Sequence, residues 1–270
     1  MNIFKNKVAV VTGAGSGIGK AIAEGCVKRG MKTVLADINK ETLKRIEKTL
    51  QKNGGDVIAV VTDVTKQSQV KRLANKTIQT FKGVDLLINN AGILGPIDPI
   101  WMCNPKEIAK VIETNCMGAI YGLREFIPLM QKQNRPCTIV NTASSAGFCV
   151  DPYMTGYISS KHALVALTEV LYLDLKDLNS KIDVSLFCPG LVEAHIGDQF
   201  LKKKTKLVGI KKFIENFRTA KKMPATKAAE MLFQGLEARQ FYIFTHFEEE
   251  KEFFKKRMKN ILSRLNPSSN

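Results

Sequence analysis

The stretch Thr12-Gly13-Ala14-Gly15-Ser16-Gly17-Ile18-Gly19 follows an apolar run, Val8 to Val11, and opens a segment with helical spacing at Ile22, Ala23, Cys26 and Val27. A short buried strand that feeds a glycine turn and then a helix is the physical recipe for a dinucleotide site. Glycines let the backbone approach a pyrophosphate closely, and the free N–H groups at a helix N-terminus meet its charge. Gly13, Ser16, Gly17, Ile18 and Gly19 are the residues placed to make that approach. Read from Gly13, the spacing is G-x-x-x-G-x-G rather than the common G-x-G-x-x-G.

A second apolar run, Thr33-Val34-Leu35-Ala36, ends at Asp37. That is about the distance along the chain at which a carboxylate meets an adenosine ribose. An aspartate there accepts from both ribose hydroxyls and repels a 2′-phosphate, so NAD is expected in preference to NADP. Asp37 or Asn39 also suits the N-cap of the next helix.

Further along, Ile139 to Thr142 reads as a strand that ends in Ser144 and Ser145, and Tyr157 follows in Tyr157-Ile158-Ser159-Ser160-Lys161. A tyrosine and a lysine four apart share one face of a helix. A phenol with a pKa near 10 is a poor proton carrier at neutral pH, and a neighbouring cation stabilises its phenolate. A serine on an adjacent strand end can hold an alcohol or carbonyl oxygen, which makes this a proton-transfer site beside a hydride carrier.

In their order along the chain, these motifs resemble the short-chain dehydrogenase/reductase family. The resemblance implies a catalytic tetrad of Asn115, Ser144, Tyr157 and Lys161, with Ser144 chosen over Ser145 by its spacing to Tyr157 and to Asn141. It implies that Tyr157 moves the proton, Ser144 orients the oxygen, Lys161 holds a ribose and lowers the tyrosine pKa, and Asn115 keeps a water. It also implies cofactor contacts from Asp63 and Val64 at the adenine, from Asn90, Ala91 and Gly92, and from Pro189, Gly190 and Val192 at the nicotinamide. Here the chain departs from the family's pattern, because Ala194 stands where threonine is usual. One side-chain hydrogen bond is therefore expected to be missing, with Glu193 or a backbone N–H as its replacement.

Apolar runs alternate with amphipathic stretches, the signature of β-α-β units and a parallel sheet. Strands are predicted at 7–12, 32–37, 57–62, 84–88, 137–142, 182–187 and 241–244. Helices are predicted at 17–30, 40–53, 66–82, 105–131, 155–179 and 225–238, with Asn104 and Pro105 opening the fourth. The fold expected is a single α/β unit over 1–270, a doubly wound (Rossmann) sheet of about seven strands. A substrate lid is expected at about 195–222 and a C-terminal helix at about 248–265. Leu94, Phe148, Cys149, Val150, Met154, Leu191 and His195 form a largely apolar candidate lining, so an apolar alcohol or ketone is the expected substrate.

Composition narrows the partners. Of 270 residues 44% are hydrophobic, enough for a sizeable core, and the six cysteines show no metal spacing. They read as reduced thiols in a cytoplasmic protein, with no metal and no transmembrane segment expected. The net charge is +16. Half of it falls in 202–222, where nine Lys and Arg face Glu215 alone. These lysines read as solvated charges on a helical flap; an acidic substrate is the alternative, and no nucleic acid is expected. Apolar residues on several faces of 105–131 and 155–179, among them Leu123, Phe126, Leu164 and Leu171, suggest a homodimer or homotetramer. The function expected is an NAD-dependent oxidoreductase acting on CH–OH groups. The alternatives are a nucleotide-sensing regulator, and a dehydratase or epimerase on the same scaffold.

Overall fold

The computed structural model describes residues 3–268, apart from the side chains of His195, Gln199 and Phe200. Seven strands form one sheet: β1 (Val8–Thr12), β2 (Lys32–Asp37), β3 (Val57–Val61), β4 (Leu86–Asn89), β5 (Cys137–Thr142), β6 (Ile182–Cys188) and β7 (Tyr242–Phe244). Among the described residues ten α-helices accompany them: α1 (Gly17–Lys28), α2 (Lys40–Lys52), α3 (Gln67–Phe81), α4 (Pro105–Ile112), α5 (Gly118–Gln133), α6 (Thr155–Asp177), α7 (Asp198–Leu201), α8 (Val208–Thr219), α9 (Ala225–Glu237) and α10 (Phe247–Leu262).

The strand order is β3-β2-β1-β4-β5-β6-β7, and every pairing is parallel. Strands such as Val8–Thr12 carry apolar residues at consecutive positions because both faces of a parallel sheet are covered by helices. One core cluster joins β1 and β2 to α1, α2 and α9; a second lies under α3, α5 and α6. The chain reverses direction across the sheet between β1 and β4. Ligands of open α/β sheets bind at the carboxyl ends of the strands flanking such a switch.

The long helix predicted over 105–131 is interrupted. Its third turn is a π turn, Glu113–Met117, between α4 and α5. The extra residue in that turn directs Asn115 inward, where its amide is fully used. Asn115 Oδ1 accepts from Ile93 N at 2.8 Å, while its Nδ2 donates to Ile93 O at 2.9 Å and to Ser160 Oγ at 3.0 Å. These bonds offset the poorer π geometry, and such bulges concentrate at functional sites. Part of the apolar surface of these helices, read as lying on several faces, is the face against the sheet. Leu123, Phe126 and Leu175 belong to the second core cluster, with Leu171 packed against it.

Candidate active site

The glycine turn sits at the carboxyl ends of β1 and β4. Gly13 has φ +68°, and a Cβ on Gly19 would lie 2.1 Å from the Gly13 carbonyl oxygen, so neither position admits a side chain. Thr12 ties the turn to β4: its Oγ1 accepts from Asn90 N at 2.9 Å and from Ala91 N at 3.1 Å. Asn90 Nδ2 returns a bond to Thr12 O at 3.0 Å. Ser16, the N-cap of α1, makes no side-chain cap bond, and the first turn carries no acidic residue. A helix terminus left open in this way, behind a cradle that a Cβ would fill, fits an anionic pyrophosphate.

Asp37 ends β2 and braces the turn. Its Oδ2 accepts from Gly15 N and its Oδ1 from Asn39 N, both at 2.8 Å. The N-cap of α2 is Asn39, whose side chain accepts from Thr42 N, so Asp37 is free of that duty. Asp63 and Val64 follow β3; the Asp63 carboxylate accepts from Thr65, and Val64 packs against the Gly118 backbone.

Ser144, Tyr157, Lys161 and Asn115 converge beside this cradle. Ser144 ends the turn after β5 and donates to Pro189 O at 3.2 Å. Tyr157 and Lys161 are one turn apart on α6, with the ammonium 5.6 Å from the phenol ring centre. Lys161 is buried and donates to Thr142 O at 2.8 Å. A Cβ on Gly92 would meet Asn115 Oδ1 at 3.2 Å and Lys161 Nζ at 3.7 Å, so the Asn90-Ala91-Gly92 segment threads between them.

Burial dominates the ionisation of both catalytic candidates. It pulls the Lys161 ammonium down to about 8, against the opposing influence of Cys188 and Cys116. It pushes the Tyr157 phenol above its usual value, and the group that offsets this is the Ser144 hydroxyl. Lys161 directs its ammonium at the Thr142 carbonyl.

After β6, Val192 is buried and bridges in parallel to Met223. Glu193 N donates to Met223 O at 2.8 Å, so that N–H is taken and does not replace the missing threonine hydroxyl. Ala194 Cβ instead lies 3.1 Å from where a Cβ on Gly17 would stand, closing the turn from the other side.

Helix α8 packs beside Tyr157. Ile210 and Ile214 are buried against Leu94 and Ile97, with Tyr153, Met154 and Tyr157 packed around them. Phe148, predicted to line the same pocket, turns away into rings of Tyr242, Phe244 and Phe254. His195 lies outside the described side chains. Lys203 is not a solvated flap charge: it pairs with Asp98, and both side chains are mostly buried. Lys202, Lys204 and Lys206 are exposed as expected. Two residues had no earlier signal. Tyr153 holds φ +72°, rare for a non-glycine residue, and its carbonyl accepts from Asp98 N. Glu250, from α10, reaches the Ser145 side of the site.

The fold and this constellation define a dinucleotide-binding oxidoreductase. Residues 7–205 match the family model described as short chain dehydrogenase. A CLA biosynthesis dehydrogenase/reductase from Lactiplantibacillus plantarum is 34% identical over 277 residues, covering 97% of this chain and 96% of that protein. The 3beta-hydroxysteroid dehydrogenase 2 of Eggerthella lenta is 30% identical and covers 72% of this chain and 74% of its own length. Among solved structures, a short chain dehydrogenase/reductase from Burkholderia phymatum in complex with NAD superposes with a TM-score of 0.91. It is 37% identical and spans 99% of this chain and 98% of its own. The chain belongs to the short-chain dehydrogenase/reductase family.

Proposed function

We propose that the protein is an NAD-dependent dehydrogenase/reductase that interconverts an apolar secondary alcohol and its ketone, working as one unit over residues 1–270. The observation that carries this reading is the convergence of Tyr157 with Ser144 and Lys161 beside an uncapped glycine turn. Gly13, Ser16, Gly17, Ile18 and Gly19 hold the pyrophosphate, Asp37 the adenosine ribose, and Asp63 and Val64 flank the adenine. Asn90, Ala91, Gly92, Pro189, Gly190 and Val192 line the nicotinamide half. The cofactor, when bound, accepts or supplies the hydride.

The chain's own residues handle the proton and the oxygen. Ser144 orients the substrate oxygen. A phenol is protonated at neutral pH at its ordinary pKa and burial of Tyr157 acts in the same direction, which suits it to give the proton to a developing alkoxide. In the oxidising direction it takes that proton back. Lys161 holds the ribose, and Asn115 fixes the turn that faces it. Asp37, followed by Ile38 and Asn39 rather than by a cation, favours NAD over NADP. The wall of Leu94, Ile97, Met154, Ile210 and Ile214 favours an apolar substrate. Hydroxysteroids, which name the Eggerthella relative, are alcohols of that kind.

A homodimer or homotetramer accompanies this reading. Val170 and Leu173 are 56% and 61% exposed on α6, in line with exposed Ala163 and Ala166. That spacing makes one outward apolar stripe, fit for a second copy. Among the described residues no helix is long and apolar enough to cross a membrane.

The test is a panel of secondary alcohols with purified protein and NAD, followed by absorbance of the reduced cofactor. Turnover of apolar members supports the reading. NAD binding without turnover of any alcohol points to the regulator, and loss of water or inversion without net reduction points to the dehydratase or epimerase.

A further inference from the structure

Helix α10 lies beyond the segment that the family model matches, yet it packs against the turn that carries Ser144. Phe254 sets its ring 5.5 Å from that of Phe148, and Arg257 donates to Phe148 O at 3.4 Å. One turn earlier on the same helix, Glu250 points at the loops themselves. A Cβ on Gly190 would lie 2.6 Å from Glu250 Oε1 and 2.7 Å from His246 Nδ1, so these two side chains press directly on the Gly190 α-carbon. The Ser145 hydroxyl stands beside the carboxylate. Glu250 Oε2 is buried and has no hydrogen-bond partner. A buried carboxylate oxygen without a partner is costly, and the proposed chemistry does not use it.

The surrounding bonds show what the carboxylate braces. Gly190 N donates to Thr245 Oγ1 at 3.0 Å, and Thr245 Oγ1 in turn meets His246 Nδ1 at 2.7 Å. Ser145 N and Ser144 Oγ both donate to Pro189 O, at 3.0 and 3.2 Å. The Ser144–Ser145 turn and the Pro189–Gly190 turn are thus locked together on one side, and the junction of β7 and α10 closes them on the other.

We propose that Glu250 is a positioning residue, acting on Ser144 through Ser145 and on the nicotinamide side of the cradle through Gly190. This rests on the oxidoreductase reading above. The charged and titratable groups facing it are few: Glu249 and His246 from α10 and its N-cap, Cys188 from β6, and Lys227 of α9 acting on His246. Burial raises the Glu250 carboxyl from 4.5 to about 7, the Ser145 hydroxyl opposing and Glu249 adding to the rise. The position of both turns therefore depends on a group that ionises within the working range. Because the folded pKa is the higher one, the stability it contributes is complete below pH 4.5 and is lost as pH rises through about 7.

The experiment compares wild type, Glu250→Gln, Glu250→Ala and the exposed control Glu252→Gln between pH 5 and 9. It measures kcat, KM, NADH affinity by fluorescence, and Tm of the protein without ligand. Glu250→Gln should keep kcat near the wild-type value at pH 6 and lose the inflection near pH 7 in both kcat and NADH affinity. Its Tm should exceed that of wild type above pH 7.5 by roughly 2–4 °C, with the gap narrowing as the pH falls to 5. Glu250→Ala should lower kcat about ten-fold with KM nearly unchanged, the pattern of a misplaced reacting group. Glu250→Ala with kcat within two-fold of wild type, or Glu250→Gln with the wild-type inflections in kcat, NADH affinity and Tm, overturns the proposal while leaving the oxidoreductase reading intact. A wild-type protein that binds no NADH overturns that reading first, and this inference with it.

Discussion

The cofactor side of the site and its substrate side lie on opposite flanks of Tyr157, and different forces hold them. The cofactor side is backbone: the Gly13–Gly19 turn, the Thr12 bonds to Asn90 and Ala91, and the Asp37 bonds to Gly15 and Asn39. Each is a directed contact set by residues close in sequence or by adjacent strands in register. The other side is packing: Ile210 and Ile214 over Leu94 and Ile97, and Lys203 on Asp98. Those contacts join segments a hundred residues apart and draw on burial more than on geometry. A site divided in this way can keep one cofactor while its substrate wall varies.

The sharpest way to break the comparison is at its centre. Tyr157→Phe removes only the proton carrier, and kcat should fall by roughly 10²–10⁴. NAD affinity measured by titration should stay within about two-fold. Retained turnover would mean that neither flank has been read correctly.

Gly19→Ala tests the backbone side. The new Cβ would stand 2.1 Å from the Gly13 carbonyl oxygen, a contact with main chain that no rotamer relieves. The expected result is loss of NAD binding together with a lower Tm, by calorimetry, of several degrees. A variant that folds and binds normally would show the turn to be looser than its geometry requires.

Asp37→Ala comes next. It leaves the Gly15 and Asn39 N–H groups without their acceptor and removes the charge that repels a 2′-phosphate. Titration should show NAD affinity falling about ten-fold and the preference over NADP shrinking. Tighter binding of NADP by the unaltered protein would reverse the cofactor assignment.

The smallest effect belongs to the lysines and separates the two flanks most finely. Lys203→Gln should raise KM about two- to three-fold, because it releases the segment before α8 from Asp98. Replacing exposed Lys202, Lys204 and Lys206 with Gln should leave KM unchanged for a neutral substrate. A KM that rises in the triple variant, and that depends on salt in wild type, would identify an acidic substrate group instead.

Much of the candidate site was legible because its motifs are short. Glycine spacing, a strand-end aspartate and a Tyr–Lys pair one helical turn apart encode conformation within a few residues. Alternating apolar and amphipathic runs encode strand and helix order in the same local way, and a parallel sheet follows from them. Local spacing was thus enough for a doubly wound sheet of about seven strands, for the turn at its switch point, and for Asn115, Ser144, Tyr157 and Lys161, which meet beside it. The π turn at Asn115 escaped it, since a bulge leaves the apolar period almost intact and is revealed only by what Asn115 bonds. The roles of Lys203, Phe148 and Glu250 also needed the folded chain. A lysine in a basic run looks solvated until its partner, Asp98, is brought to it. A glutamate near the start of an amphipathic helix looks exposed until that helix docks on Gly190 and Ser145. Burial and pairing between distant segments are properties of packing, and they exist only once the chain has folded.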